Sequence, residues 1–252
     1  LAEDGVLFRR AFCANPTCSP SRAALVTGQS AHSCGMLGLA HRGFGLYDYG
    51  HHIVHTLRSA GYHTALSGTQ HVALHGDKSL IGYDEILDDD GQNPIDAVND
   101  YLGRRDTARP FFLTIGFGET HRVFDEPGPD EDERYTLPPP TFPDTPETRR
   151  DMASFKASAR KLDGYMGRVF DLLAEHGVAD DTLVICTTDH GIAFPSMKCN
   201  LYDGGIGIML IMRWANGADY GFTPGSVSDA LTSQIDLFPT LCDIVGIEPP
   251  TW

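Results

Sequence analysis

The chain is poor in basic residues: 19 Lys and Arg stand against 34 Asp and Glu, a formal net charge of −15 over 252 residues. A non-specific nucleic-acid binder carries a basic face, so that class is disfavoured. An anionic small substrate remains open, because a few cations in a cleft can dominate the local field. No apolar run is long enough to span a bilayer as a helix, so no membrane span is expected. There is no CxxC pair among the six cysteines at 13, 18, 34, 186, 199 and 242, hence no zinc-ribbon or dense disulfide framework. A Cys13–Cys34 disulfide stays open, and Cys186, inside an apolar run, reads as a core thiol. No internal repeat is found, and no signal peptide is visible, which in a chain that does not begin with methionine excludes nothing. The chain opens on Leu1 without an initiator methionine and ends on Pro249-Pro250-Thr251-Trp252, and it reads as a piece of a longer protein.

What is present is an alternation of strand-like and helix-like segments. A helix is expected over 52–60, closed by Gly61, and a strand over 62–67. Short apolar runs at 110–117, 182–188 and 207–213 read as buried strands. Residues 146–176 hold Met152, Phe155, Ala159, Leu162, Met166, Val169, Phe170 and Leu173 near helical spacing, with Gly177 as the stop. A last helix is expected over 233–245. The pattern predicts one α/β domain with a mixed, mostly parallel sheet between helical layers. The stretch 122–146, with seven prolines and many acidic residues, reads as a surface excursion, a candidate rim of the site.

Ligands in such sheets bind beyond the carboxyl ends of the strands. Three polar clusters fall there: Gln70-His71, Glu119-Thr120-His121-Arg122 and Asp189-His190-Gly191. Each alone reads equally as turn chemistry; three on one edge point to a site. His51, His52 and His55 suggest zinc only weakly, since no third ligand accompanies them; they read as helix-cap and surface histidines.

The densest signal is Asn15-Pro16-Thr17-Cys18-Ser19-Pro20-Ser21-Arg22-Ala23-Ala24-Leu25-Val26-Thr27-Gly28. Pro20 suits a first helical turn, where its missing N–H is no loss. Cys18 would then sit at a helix N-terminus, which favours anions, with Arg22 one turn on along the same face. On these residues alone, a helix cap with a buried cysteine is the favoured reading.

Cys18-Ser19-Pro20-Ser21-Arg22 followed by Ala23-Ala24-Leu25-Val26-Thr27-Gly28 resembles the signature of the type I sulfatases of the alkaline-phosphatase superfamily, most like the sulfamidase branch. Gly68-Thr69-Gln70-His71, Thr188-Asp189-His190-Gly191, Asn200-Leu201-Tyr202-Asp203-Gly204-Gly205 and Ile235-Asp236-Leu237-Phe238-Pro239-Thr240 extend the resemblance along the chain. It implies an alkaline-phosphatase-like catalytic domain over 1–252, truncated at both ends, that hydrolyses sulfate esters or sulfamates of sugars. Cys18 would be oxidised to formylglycine by a maturing enzyme, and its hydrate would attack sulfur and then expel sulfate. Arg22 would hold the formylglycine hydroxyl, and His71 would be the base for elimination. His121 and Lys198 would contact the sulfate and protonate the leaving group. Cys18, Asp189 and His190 would bind a divalent metal, Ca²⁺ or Mg²⁺. The family's secretory, periplasmic or lysosomal setting is expected too.

The sequence departs from that pattern in two places. The family's first pair of metal-binding aspartates would lie ahead of Leu1, and Thr69 stands where a sulfate-binding lysine is usual. These departures leave two other readings: a phosphate or phosphonate ester hydrolase of the same superfamily, and a relative that only binds sulfated glycans.

Overall fold

The computed structural model describes residues 1–88 and 94–252. In chain order its strands are β1 (Val6–Phe8), β2 (Ala11–Phe12), β3 (His63–Gly68), β4 (Glu85–Asp88), β5 (Phe111–Gly116), β6 (Val184–Thr187), β7 (Leu210–Arg213), β8 (Ser226–Ser228) and β9 (Thr232–Ser233). Its α-helices are α1 (Cys18–Thr27), α2 (Ala31–Cys34), α3 (Ile53–Ser59), α4 (Pro94–Arg104), α5 (Pro146–Glu175), α6 (Asp203–Ile206) and α7 (Leu237–Val245).

The strands form three hydrogen-bonded sheets, ordered β6-β7-β1-β8, β2-β9 and β4-β3-β5. The third is wholly parallel, and β1–β8 and β2–β9 are parallel too. Only β7 runs antiparallel to its neighbours β1 and β6 among the described residues. The mixed, mostly parallel α/β architecture expected from the sequence is therefore present, divided into three pieces.

Each sheet has strands that bury apolar side chains against a helix. Ala65 of β3 packs with Val98, Tyr101 and Leu102 of α4 and with Leu172 and Leu173 of α5. Ala11, Leu210 and Met212 pack with Leu237 of α7. Burying each such leucine stabilises the fold by roughly 1.5–3 kcal/mol. Helix α5 starts where its sequence says: Thr145 accepts from the Thr148 N–H at 3.3 Å, and Pro146 takes the first turn.

The polar excursion after β5 is fastened to α5 by ion pairs: Arg150 with Glu126 and Glu133, Arg160 with Glu131, and Lys161 with Glu119 and Asp125. Among the described residues, no helix is long and apolar enough to cross a membrane.

All six cysteines are free, so the Cys13–Cys34 disulfide left open above is not formed. Among the described residues, the histidines at 51, 52 and 55 join no metal cluster. His51 stacks on Trp252, His55 bonds the Ile81 carbonyl at 2.9 Å, and His52 caps α3 through Val54 N–H. His52 is not at the surface, as the sequence suggested, but 2% exposed.

Candidate active site

Helix α1 brings the nucleophile candidate to the centre of the fold. Its N-cap is Thr17 in extended backbone, and Cys18, Ser19 and Pro20 fill the first turn, as the proline predicts. Cys18 is buried at 7% exposure. The N–H groups of Cys18 and Ser19 have no intrahelical acceptor, which makes this turn an anion cradle.

Strand β6 delivers Asp189 and His190 to the same point. Gly191 allows the turn that follows. A Cβ there would lie 1.9 Å from the Gly204 carbonyl oxygen, and its N–H bonds the Gly205 carbonyl at 2.8 Å. Cys18 Sγ lies 3.3 Å from His190 Nε2, and His190 Nε2 lies 3.6 Å from Asp189 Oδ1. One turn along α1, Arg22 Nε donates to Asp189 Oδ2 at 2.9 Å, and its Nη1 reaches the Gln70 carbonyl at 3.5 Å. Arg22 thus joins two of the three strand-end clusters.

The third cluster is joined through Arg122. Its guanidinium pairs with Asp151 of α5, donates from Nε to the Ala193 carbonyl at 2.8 Å, and stacks on Phe124 and Phe194. Gly68 and Gly116 let β3 and β5 end in close approach: a Cβ on Gly116 would lie 1.8 Å from the Thr69 carbonyl oxygen.

The electrostatics mark residue 18. Burial acts to raise the Cys18 thiol, but hydrogen bonds from His190 and His71 and the charge of Lys198 outweigh it and draw it down to about 5. Asp189 is held below the usual carboxylate range. Its burial opposes this, and Arg22, His190 and Lys198 prevail. Burial likewise works against charge on His190, yet contacts with Cys18, Asp189 and the Gly191 carbonyl pull it up. The contrast with Cys13 and Cys186, both pushed up to about 11 by burial, is sharp.

The expected residues are therefore gathered unevenly. Cys18, Arg22, Asp189 and His190 are in contact, and His71 and Lys198 act on Cys18. His121 is exposed, and among the described residues its ring bonds only the Arg122 carbonyl, at 2.6 Å from Nδ1. Thr69 donates its N–H to the Gly116 carbonyl at 2.9 Å.

Cys18, Asp189 and His190 present ligand atoms within 4.8 Å of one another. His190 Nδ1 donates to the Gly191 carbonyl at 2.7 Å, so in the neutral ring that a cation would select, the Nε2 lone pair faces the other two. That tautomer, fixed by a backbone carbonyl, is the arrangement of a metal-binding histidine. The donor set fits a cation.

Sequence reasoning missed Ser21, Gln234 and His41. Ser21 Oγ meets the Asp189 carbonyl and Gln234 Oε1, and Gln234 Nε2 donates to the Thr188 carbonyl at 2.9 Å. Both residues are fully buried and hold the backbone of Asp189. His41 lies against His71, with Nδ1 and Nε2 3.0 Å apart. The separations of 213 and 30 residues carry no signal in sequence alone.

The Sulfatase family model matches residues 1–247. Human N-sulphoglucosamine sulphohydrolase is 32% identical over 289 residues, covering 100% of this chain and 56% of that protein. A structure solved in complex with its substrate D-glucosamine-2-N,6-O-disulfate superposes with a TM-score of 0.76 at 18% identity, covering 99% of this chain and 71% of that one. A phosphonate monoester hydrolase of Agrobacterium radiobacter superposes with a TM-score of 0.71, also at 18% identity, covering 98% and 68%. Both structural likenesses are likenesses of fold. The chain spans about half the length of the curated relatives it matches. With its signature at the N-terminus of α1 and the family matched along nearly its whole length, the chain belongs to the sulfatase family.

Proposed function

We propose that this chain carries the catalytic centre of a hydrolase that releases sulfate from sulfated sugars, as esters or sulfamates. The observation that carries the reading is the convergence of Cys18 with Arg22, Asp189 and His190 at a helix N-terminus, in a member of the sulfatase family.

Matured to formylglycine by a formylglycine-generating enzyme, residue 18 would supply one hydroxyl that attacks sulfur and displaces the sugar, and a second whose lost proton lets the aldehyde re-form as sulfate leaves with the first oxygen. Asp189 and His190 would hold a divalent cation with residue 18, and that ion would supply positive charge for the sulfuryl oxygens. Cys18 Sγ stands in here for an oxygen of the hydrated aldehyde. With oxygen in its place the donor set becomes harder, which favours Ca²⁺ or Mg²⁺ over a thiophilic metal.

The chain's own groups divide the remaining work. Arg22 is aligned by Asp189 and keeps its Nη2 for an oxyanion. The free N–H groups of the first turn of α1 face the same point. Lys198 makes no side-chain hydrogen bond or ion pair among the described residues, so its charge is available to the sulfate. His71, beside residue 18, would hydrogen-bond the hydroxyl at which elimination starts. His121, whose Nδ1 bonds the Arg122 carbonyl, keeps Nε2 for the leaving sugar oxygen or nitrogen, to which it would pass a proton.

The test is substrate competition. The full-length matured protein should release inorganic sulfate from N-sulfo- or O-sulfo-glucosamine in preference to cleaving phenyl phosphate or a phenyl phosphonate ester. Turnover of the phosphorus esters alone would replace this reading with the phosphonate one. Binding without turnover would make the chain a glycan-binding relative.

A further inference from the structure

A 3-10 turn spans Ala40–Arg42. It is pinned to the nucleophile helix, because the Ala40 N–H donates to Ser19 Oγ at 3.0 Å, and Ser19 is completely buried. From this turn His41 meets the ring of His71 edge to edge and nearly in plane, with centroids 5.3 Å apart and planes 6° apart, and Nδ1 of His41 lies 3.0 Å from Nε2 of His71. On the far side, Arg42 Nε lies 3.4 Å from Nε2 of His41.

We propose that His41 is a positioning residue that fixes which nitrogen of His71 carries the proton, with Arg42 setting the direction of the relay. The inference rests on the reading that His71 serves residue 18. The direction follows from donor chemistry. A guanidinium has five N–H donors and no acceptor, so His41 Nε2 must accept from Arg42. A neutral imidazole that accepts at one nitrogen donates at the other, so His41 Nδ1–H donates to His71 Nε2. His71 Nε2 is then an acceptor, and its proton sits on Nδ1.

The ring has little freedom to escape this arrangement. His71 holds a left-handed backbone at φ 60, and its neighbour Gln70 is anchored by accepting from the Val72 and Ala73 N–H groups. The relay therefore leaves His71 Nδ1–H as the group that faces residue 18, a donor that holds its oxygen and not a base that takes its proton. Partners of this kind, one step behind the reacting group, typically change activity by roughly 10–100-fold when removed.

The experiment reads the tautomer directly. The full chain is labelled with ¹⁵N-histidine, and the His71 imidazole is identified by subtraction with His71→Gln. Long-range ¹H–¹⁵N correlations then report which nitrogen is protonated. The proposal expects Nδ1–H in the wild type. It expects the same in His41→Asn, whose amide N–H can take the place of His41 Nδ1–H. In His41→Asp a carboxylate can only accept, so His71 should switch to Nε2–H or to imidazolium.

In kinetics on the full-length enzyme, His41→Asp should lower kcat roughly 10–100-fold with little change in KM, and His41→Asn should stay near the wild type. A wild-type His71 protonated on Nε2 overturns the proposal, and so does a His71 pattern unchanged by His41→Asp. The predicted pattern in a protein that releases no sulfate supports the relay and counts only against the functional reading.

Discussion

Arg22 Nε donates to Asp189 Oδ2 at 2.9 Å, and this bond joins the nucleophile helix to the strand end that bears the metal-ligand candidates. The two side chains are 26% and 20% exposed, so the pair is shielded without being sealed. It orients the arginine toward residue 18 and keeps Asp189 charged despite its burial.

Replacing Arg22 with Lys should therefore be damaging although charge is retained. Lysine is a point charge without the planar fork that can hold Asp189 and an oxyanion together. In the full-length enzyme we expect kcat/KM to fall by roughly 10²-fold, the loss of one well-placed oxyanion donor. Steady-state kinetics on an aryl sulfate would check this, with formylglycine content and fold verified for each variant.

Lys198 and Thr69 make a second comparison. Lys198 acts on Cys18 and Asp189 by its charge, whereas a threonine hydroxyl at 69 contributes at most a neutral hydrogen bond of about 0.5–1.5 kcal/mol. Lys198→Ala should lower kcat/KM by roughly 10²-fold or more, and Thr69→Ala by much less. If Thr69→Ala were the worse of the two, the assignment of the sulfate pocket would be wrong.

Gln234 tests the support behind the metal-ligand candidates. It is 1% exposed and satisfies Ser21 Oγ and the Thr188 and Asp189 carbonyls. Gln234→Ala removes one hydrogen-bond partner from each of these buried groups and should destabilise the chain by about 1–3 kcal/mol, read from urea denaturation. A variant as stable as the wild type would show that the network carries no weight.

His52 predicts a pH dependence of stability. Burial, with a smaller contribution from His55, lowers its pKa from 6.5 to about 3. Between those values the unfolded chain binds a proton that the folded chain refuses. The stabilisation is complete above about pH 6.5 and is lost as pH falls toward 3. His52→Asn keeps an acceptor for the Val54 N–H but does not titrate. Unfolding free energy from pH 7 to pH 4 should fall more steeply in the wild type than in this variant, by about one proton per molecule. Parallel curves would contradict the assignment.

The legible features were those whose signal is local. Cys18 and Arg22 are four residues apart on one helix, so helical geometry alone put them on one face. Asp189 and His190 follow an apolar run whose end is readable, and α5 announces itself by its period and its Thr145-Pro146 start. Helix α4 was overlooked although Ile95, Val98, Tyr101 and Leu102 mark one apolar face, because its window also holds Asp96, Asn99 and Asp100. Strand β1 is three residues long and lacks the length to stand out. His52 looked like a surface cap because capping is visible in sequence and burial by distant segments is not. The same holds for the partners of the site. Gln234 reaches Ser21 across 213 residues and His41 reaches His71 across 30, contacts that exist only once the chain has folded.

The central claim is that residue 18 acts as formylglycine. The direct measurement is the mass of the peptide containing residue 18, taken across preparations of the full-length protein matured to different extents, alongside their rates of sulfate release. The account predicts that the rate rises in proportion to the fraction of residue 18 found as the aldehyde and vanishes when it is all thiol. Full sulfate release from a preparation that holds only unmodified Cys18 would contradict it.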